Sequence, residues 1–217
     1  MIAVTISDCD RRLRAQWEEK RNQIEARLAE FKEVRGRGQR AVFEELCFCL
    51  LTPQSSALAA DRAMRHMTRT GLLYRGSTEQ IAKVISGSGI LYGDNKARFL
   101  VEAREKLVEG RDGSPSLDDM LIEDPFNARE NVVKNVKGLG YKEASHFLRN
   151  IGYEGLAILD RHILRTMCEG GVVDSLPKTI SRKTYLDLER RFLGPPADSR
   201  RIDHPGLVWN SHGYRGR

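Results

Sequence analysis

No stretch of this sequence approaches the roughly 20 consecutive apolar residues that a membrane-spanning helix needs. The segment from Met1 to Asp10 has too short an apolar run, and the wrong flanks, for a secretory signal. The expectation is a soluble, intracellular chain with no membrane partner. No convincing period-2 alternation of apolar and polar residues appears, which argues against a sheet-based fold. Cysteine is scarce: Cys9, Cys47, Cys49 and Cys168 are the four present, without CxxC spacing. Cys47 and Cys49 sit inside an apolar run, where thiols act as small core residues, so neither a disulfide framework nor a cysteine metal site is expected. There is no internal repeat and no long low-complexity segment.

What is present is enough apolar material for a core, 40% of 217 residues, carried with a mildly basic charge balance of 36 Lys+Arg against 30 Asp+Glu. A net charge of +6 favours a polyanionic partner without demanding one. Apolar residues recur at helical spacing over 11–34, 41–51, 57–70, 78–86, 95–109, 116–122, 127–136, 141–151, 161–169 and 182–193, separated by Gly and Pro. The fold class is all-α. The 41–51 helix is apolar nearly all round, which places it centrally; Pro53 stops it, and Ser55 or Ser56 caps the next.

The most informative stretch runs Val133-Lys134-Asn135-Val136-Lys137-Gly138-Leu139-Gly140-Tyr141-Lys142-Glu143. Two glycines around one aliphatic residue, between two helical patterns, permit a tight turn whose backbone can approach another molecule closely. Turn amides and the start of the following helix offer N–H donors and partial positive charge, the features that hold a phosphate. Lys137, Gly138, Leu139 and Gly140 are thus candidates for binding a phosphate backbone, with Leu139 plugging the turn onto its own core. An ordinary pair of antiparallel helices with solvated lysines has the same local pattern. Lys142 stands in the first turn of the second helix, at the positive end of its dipole and among cations, where the neutral and nucleophilic amine is favoured. Eighteen residues on, Asp160 follows an apolar run and opens the next helix. Asp160 by itself reads as an N-cap. Together, a lysine and a carboxylate supply what cleavage of a glycosidic bond requires: a group that tolerates positive charge at the sugar and one that traps it.

Gly138-Leu139-Gly140-Tyr141-Lys142 followed by Asp160 resembles the helix-hairpin-helix GPD superfamily of DNA glycosylases. More narrowly, residues 142–152 with Asp160-Arg161-His162-Ile163, and residues 44–55, resemble the archaeal-type 8-oxoguanine DNA glycosylase/AP lyase group, the second class of 8-oxoguanine glycosylases. That resemblance implies two helical subdomains, 1–60 with 160–217 and 61–159, a hairpin at about 127–151 and an active site in the cleft between the subdomains. It implies a bifunctional base-excision-repair enzyme in which Lys142 is the nucleophile and Asp160 the catalytic carboxylate. The partner is double-stranded DNA carrying oxidised guanine, acted on by a monomer located in the cytoplasm and on the nucleoid when bound to DNA. No metal and no cofactor is required, although the hairpin carbonyls can hold a structural monovalent cation. The absence of cysteine beyond Cys168 excludes the four-cysteine iron–sulfur loop of related enzymes.

Base recognition has four candidates. Gln54 and Ser55 follow the buried helix, and their polar groups either face the base or serve the turn. Trp209 either stacks on an extruded base or belongs to the core. The group typically ends in a lysine that reaches the oxidised guanine, whereas this chain ends in Arg217, a planar fork in place of a compact ammonium. Two other functions share parts of the pattern. A non-catalytic helix-hairpin-helix DNA-binding protein needs the glycines but neither Lys142 nor Asp160, and a related glycosylase for another damaged base keeps both.

Overall fold

The computed structural model describes residues 8–110 and 115–194, and among these every regular element is helical. In chain order they are α1 (Asp8–Val34), a 3-10 turn (Arg35–Arg37), α2 (Gln39–Leu51), α3 (Ala57–Thr70), α4 (Leu72–Arg75), α5 (Thr78–Gly87), α6 (Gly93–Leu107), α7 (Leu117–Met120), α8 (Pro125–Asn135), α9 (Tyr141–Asn150), α10 (Arg161–Glu169) and α11 (Arg182–Leu193). None of the described helices is long and apolar enough to cross a membrane.

Local chemistry accounts for the boundaries. Ser56 caps α3 by accepting from the Ala59 amide, and Ser77 and Ser116 form reciprocal capping boxes with Gln80 and Asp119. Asp124 caps α8 with Pro125 in its first turn, where a missing N–H costs nothing. Only α4 lacked a sequence signal. It is a single turn begun by Gly71 at φ +75° and held by the buried Leu73, too short to show a period.

By packing, the described chain forms two compact units, one of residues 8–30 and 155–194, the other Phe31–Glu154. Residues 31–60, grouped with the chain ends by the resemblance, pack within the second unit. The reason is α2. Its buried residues run from Val42 to Leu51 with Glu44 as the one break, and it packs against α3, α6, α7 and α9. Burying an apolar cylinder on nearly all sides requires neighbours on nearly all sides. Its one buried charge, Glu45, accepts from Asn150 Nδ2 of α9 at 3.1 Å, so it does not enter the core unsatisfied. Cys47 and Cys49 lie wholly buried in the same helix, and burial pushes both thiols well above their ordinary range, away from the reactive thiolate.

In the first unit, the segment before α10 carries no regular structure but is fixed by α11. The Ala157 amide donates to Glu189 Oε1 at 2.9 Å. Tyr185 donates its hydroxyl to the Ala157 carbonyl at 2.6 Å and accepts from the Leu159 amide at 3.4 Å. All of these groups are buried, so each backbone atom needs its partner. Tyr185→Phe leaves two of them unpaired while keeping the ring, and we expect it to destabilise the protein by about 1–3 kcal/mol. Urea denaturation monitored by circular dichroism measures this; an unchanged midpoint would show the hydroxyl to be dispensable.

Candidate active site

The turn between α8 and α9 is set by Gly138, at φ +90°, a conformation that side chains rarely adopt. A Cβ at that position would stand 2.4 Å from the Phe99 ring, so the glycine is required twice over, by torsion and by space. Leu139 is buried between the exposed Gly138 and Gly140, as a hydrophobic plug should be. The turn closes with the Leu139 amide bonded to Val136 O at 3.3 Å.

Behind the turn, Arg129 of α8 is almost completely buried, with Nη1 donating to Ser145 Oγ of α9 at 3.1 Å. Its guanidinium lies 5.5 Å from the Phe126 ring and 5.3 Å from that of Tyr141, a cation held between two aromatic faces. Tyr141 in turn donates to Glu130 Oε2 at 2.6 Å. These contacts join α8 to α9 and fix the direction in which the turn presents its amides. Lys137 is exposed beside the turn, 3.6 Å from Glu102.

Lys142 occupies the second position of α9, after Gly140 as N-cap, and its side chain is about a third exposed. Its Nζ lies 3.0 Å from Glu143 Oε1. Adjacent helical residues do not normally face each other. Here Glu143 folds back towards the start of the helix, over Gly140, where an added Cβ would lie 3.3 Å from its Oε2. To the helix dipole and neighbouring lysines visible in the sequence, the structure adds a carboxylate beside this amine. One turn further along α9, His146 packs edge-on to Phe48, with ring centroids 6.3 Å apart. Burial, with the nearby Arg149 and Lys142 cations, holds His146 well below its usual range and keeps it neutral.

Asp160, in the other unit, is the N-cap of α10, with Oδ1 accepting from the amides of His162 and Ile163, both at 2.9 Å. The cap reading of this residue is therefore correct as far as it goes. A cap of this kind also fixes a carboxylate in one orientation.

The loop after α2 contains the two remaining candidates that the structure describes. Gln54 is exposed and held at φ +54°, one of two described non-glycine residues with positive φ. Ser55 is engaged structurally: its Oγ donates to Pro53 O at 3.4 Å and accepts from Lys96 Nζ at 3.1 Å. Lys96, which no sequence pattern marked, reaches this loop from α6 with its charge buried, and burial brings it down to about 8. Trp209 and Arg217 lie outside the described residues.

An all-helical chain with a glycine-bounded hairpin that opens a helix bearing a lysine has the architecture of the helix-hairpin-helix class of DNA-binding proteins. The comparisons narrow this. The sequence profile of the 8-oxoguanine DNA glycosylase family matches residues 24–195, and the chain belongs to that family. It is 41% identical over 185 residues to the 8-oxoguanine DNA glycosylase/AP lyase of Fusobacterium nucleatum, covering 81% of each chain. It is 37% identical over 188 residues to that of Methanocaldococcus jannaschii, covering 86% of this chain and 87% of the other. The crystal structure of the 8-oxoguanine DNA glycosylase of Thermotoga maritima superposes with a TM-score of 0.77 at 37% identity, over 87% of both chains. The Methanocaldococcus jannaschii enzyme in complex with a 15mer DNA containing 8-oxoguanine superposes at 0.73 with 33% identity, over 83% of this chain and 84% of that one.

The two turn glycines should respond unequally to substitution. Gly138→Ala meets both positive φ and the Phe99 ring and should cost about 1–3 kcal/mol. Gly140→Ala, at φ −88° with only the mobile end of Glu143 nearby, should lie within about 1 kcal/mol of the parent. Thermal denaturation of the two variants checks the difference, and equal losses would contradict this account of the turn.

Proposed function

We propose that this protein is a bifunctional DNA glycosylase/AP lyase that excises 8-oxoguanine and then nicks the strand. The observation that carries the reading is Lys142, a partly exposed amine in the first turn after the hairpin glycines, in a chain of the 8-oxoguanine DNA glycosylase family. The hairpin binds the DNA backbone through the amides around Gly138, Leu139 and Gly140, with Lys137 beside them, so binding weakens as salt rises. The damaged nucleotide is turned out of the duplex, since its glycosidic bond is out of reach within the stack.

Asp160 offsets the positive charge that develops on the sugar as the base leaves. Lys142 Nζ forms a bond to C1′ and the C1′–N9 bond breaks, with the electron pair and a proton going to the departing purine. The aminal opens to a protonated Schiff base, which acidifies the C2′ hydrogen. Loss of that proton expels the 3′ phosphate by β-elimination. Lys142 must first leave its ion pair with Glu143 and pass a proton to solvent before its amine can attack. An amine and a carboxylate suffice for every step, so no cofactor takes part; a monovalent cation on the hairpin carbonyls would be structural. One lesion needs one chain, which supports a monomer. A DNA substrate supports an intracellular location, which we assign to the cytoplasm and, when bound to DNA, the nucleoid. Gln54, Ser55, Trp209 and Arg217 are the proposed contacts to the base.

Borohydride trapping on duplex DNA containing 8-oxoguanine tests the chemistry. The parent should give a covalent adduct and Lys142→Ala none. Asp160→Asn should still bind the DNA but excise more slowly by about 10²- to 10⁴-fold. Adduct formation by Lys142→Ala, or unchanged excision by Asp160→Asn, would remove that residue from the mechanism. A single-turnover panel of oxidised and alkylated bases decides the substrate: a preference for any other base would overturn 8-oxoguanine.

A further inference from the structure

The turn that carries Gln54 is built against the preference of its own sequence. The Ser55 amide donates to Thr52 O at 3.0 Å, closing a four-residue turn with Pro53 and Gln54 at its centre. In such a turn, positive φ at the third position is the type II arrangement, which favours glycine or asparagine there. Gln54 adopts φ +54° regardless. Types I and II differ by a flip of the central peptide, here Pro53–Gln54, and a glutamine left to itself favours type I.

Lys96 opposes that flip. Its Nζ donates to Pro53 O, the carbonyl of the central peptide, at 2.7 Å, to Leu51 O at 2.9 Å and to Ser55 Oγ at 3.1 Å. An ammonium has three donors and all three are used. Only 6% of the residue is exposed, and among the described residues its hydrogen-bond partners include no carboxylate. A buried charge with only neutral partners is costly, and that cost is offset here by three charge-assisted hydrogen bonds that also satisfy two carbonyls at and just past the end of α2. The same residue anchors the start of α6, where its amide donates to the carbonyl of Tyr92, the other described non-glycine residue with positive φ (+60°).

We infer that Lys96 is the positioning residue of lesion recognition: by holding the Pro53 carbonyl it keeps the Pro53–Gln54 peptide flipped and Gln54 aimed at the damaged base. The inference rests on Gln54 as a base contact. Without Lys96 the peptide relaxes, Gln54 moves to negative φ and its amide no longer points where it did. Displacements of that size change the rate of a positioned reaction on the order of 10²-fold.

Cleavage at a preformed abasic site does not require a base to be read, so the ratio of 8-oxoguanine excision to abasic-site cleavage isolates recognition. Single-turnover rates on the two duplexes are measured for the full chain, for Gln54→Ala, for Lys96→Met and for the double variant. Gln54→Ala and Lys96→Met should each lower the ratio at least about 10-fold, and the double variant should fall no further than the lower single. Lys96→Gln, which keeps two N–H donors, should be intermediate, and it carries the test if Lys96→Met fails to show a cooperative melt. A Lys96→Met or Lys96→Gln protein that keeps the parental ratio, or losses that multiply in the double variant, would overturn the inference while leaving Gln54 as a base contact. A parental ratio in Gln54→Ala overturns the base-contact reading, and the inference with it.

Discussion

Burial of Leu139 between two exposed glycines is the constraint on which the second unit's chemistry depends. A hydrophobic plug at the tip of a turn ties the tip to the core, so the glycines on either side cannot move apart or rotate freely. Gly138 accepts the resulting positive φ and the contact with Phe99; Gly140 starts α9 and leaves space for the returning Glu143. Since the turn is fixed, the axis of α9 is fixed, and with it the position of Lys142 two residues beyond the cap. The Arg129 guanidinium between Phe126 and Tyr141, bonded to Ser145, secures the same geometry from behind. The turn proposed to bind phosphate and the lysine proposed as nucleophile thus share one mechanical support.

The other unit applies the same economy to Asp160. Two amides of α10 hold one oxygen of its carboxylate, and the segment leading to it is bonded to Tyr185 and Glu189 of α11. Capping and catalysis are usually offered as competing explanations for an aspartate at a helix start. Here the cap is what would make catalysis possible, because a carboxylate that must meet charge developing at a sugar has to be oriented beforehand. Replacing the carboxylate by an amide keeps an oxygen for the cap but removes the charge, so the two roles are separable by experiment.

Most of this was legible in the sequence for definite reasons. Helix starts marked by Ser56 and Asp160 appear where cap chemistry predicts, because a cap is a contact between residues two or three apart. The hairpin was legible because glycine identity reports backbone torsion directly. The single-turn α4 was not, since four residues cannot display a period. The Lys142–Glu143 pair was hidden by the rule that neighbouring helical residues diverge, which holds until a glycine nearby opens room for one of them to fold back. Grouping of residues 31–60 with the second unit depends on what α2 touches, and contacts between helices far apart in sequence leave no local trace.

Lys96 was the least visible of all, and the reason bears on how such sites are built. Lysine near the start of a helix is ordinary, and nothing near it in sequence indicates that its ammonium reaches carbonyls more than 40 residues upstream, 45 residues away for Leu51. What exposes it is disagreement between levels. Glutamine stands where the turn prefers glycine, and a buried cation bonds the carbonyl of that same turn's central peptide. The torsion alone is disfavoured, and the bond from Lys96 to the Pro53 carbonyl is what we infer to hold it. A local preference overridden at one residue and held by a bond from a distant one points to a constraint on that residue beyond the folding of its own turn.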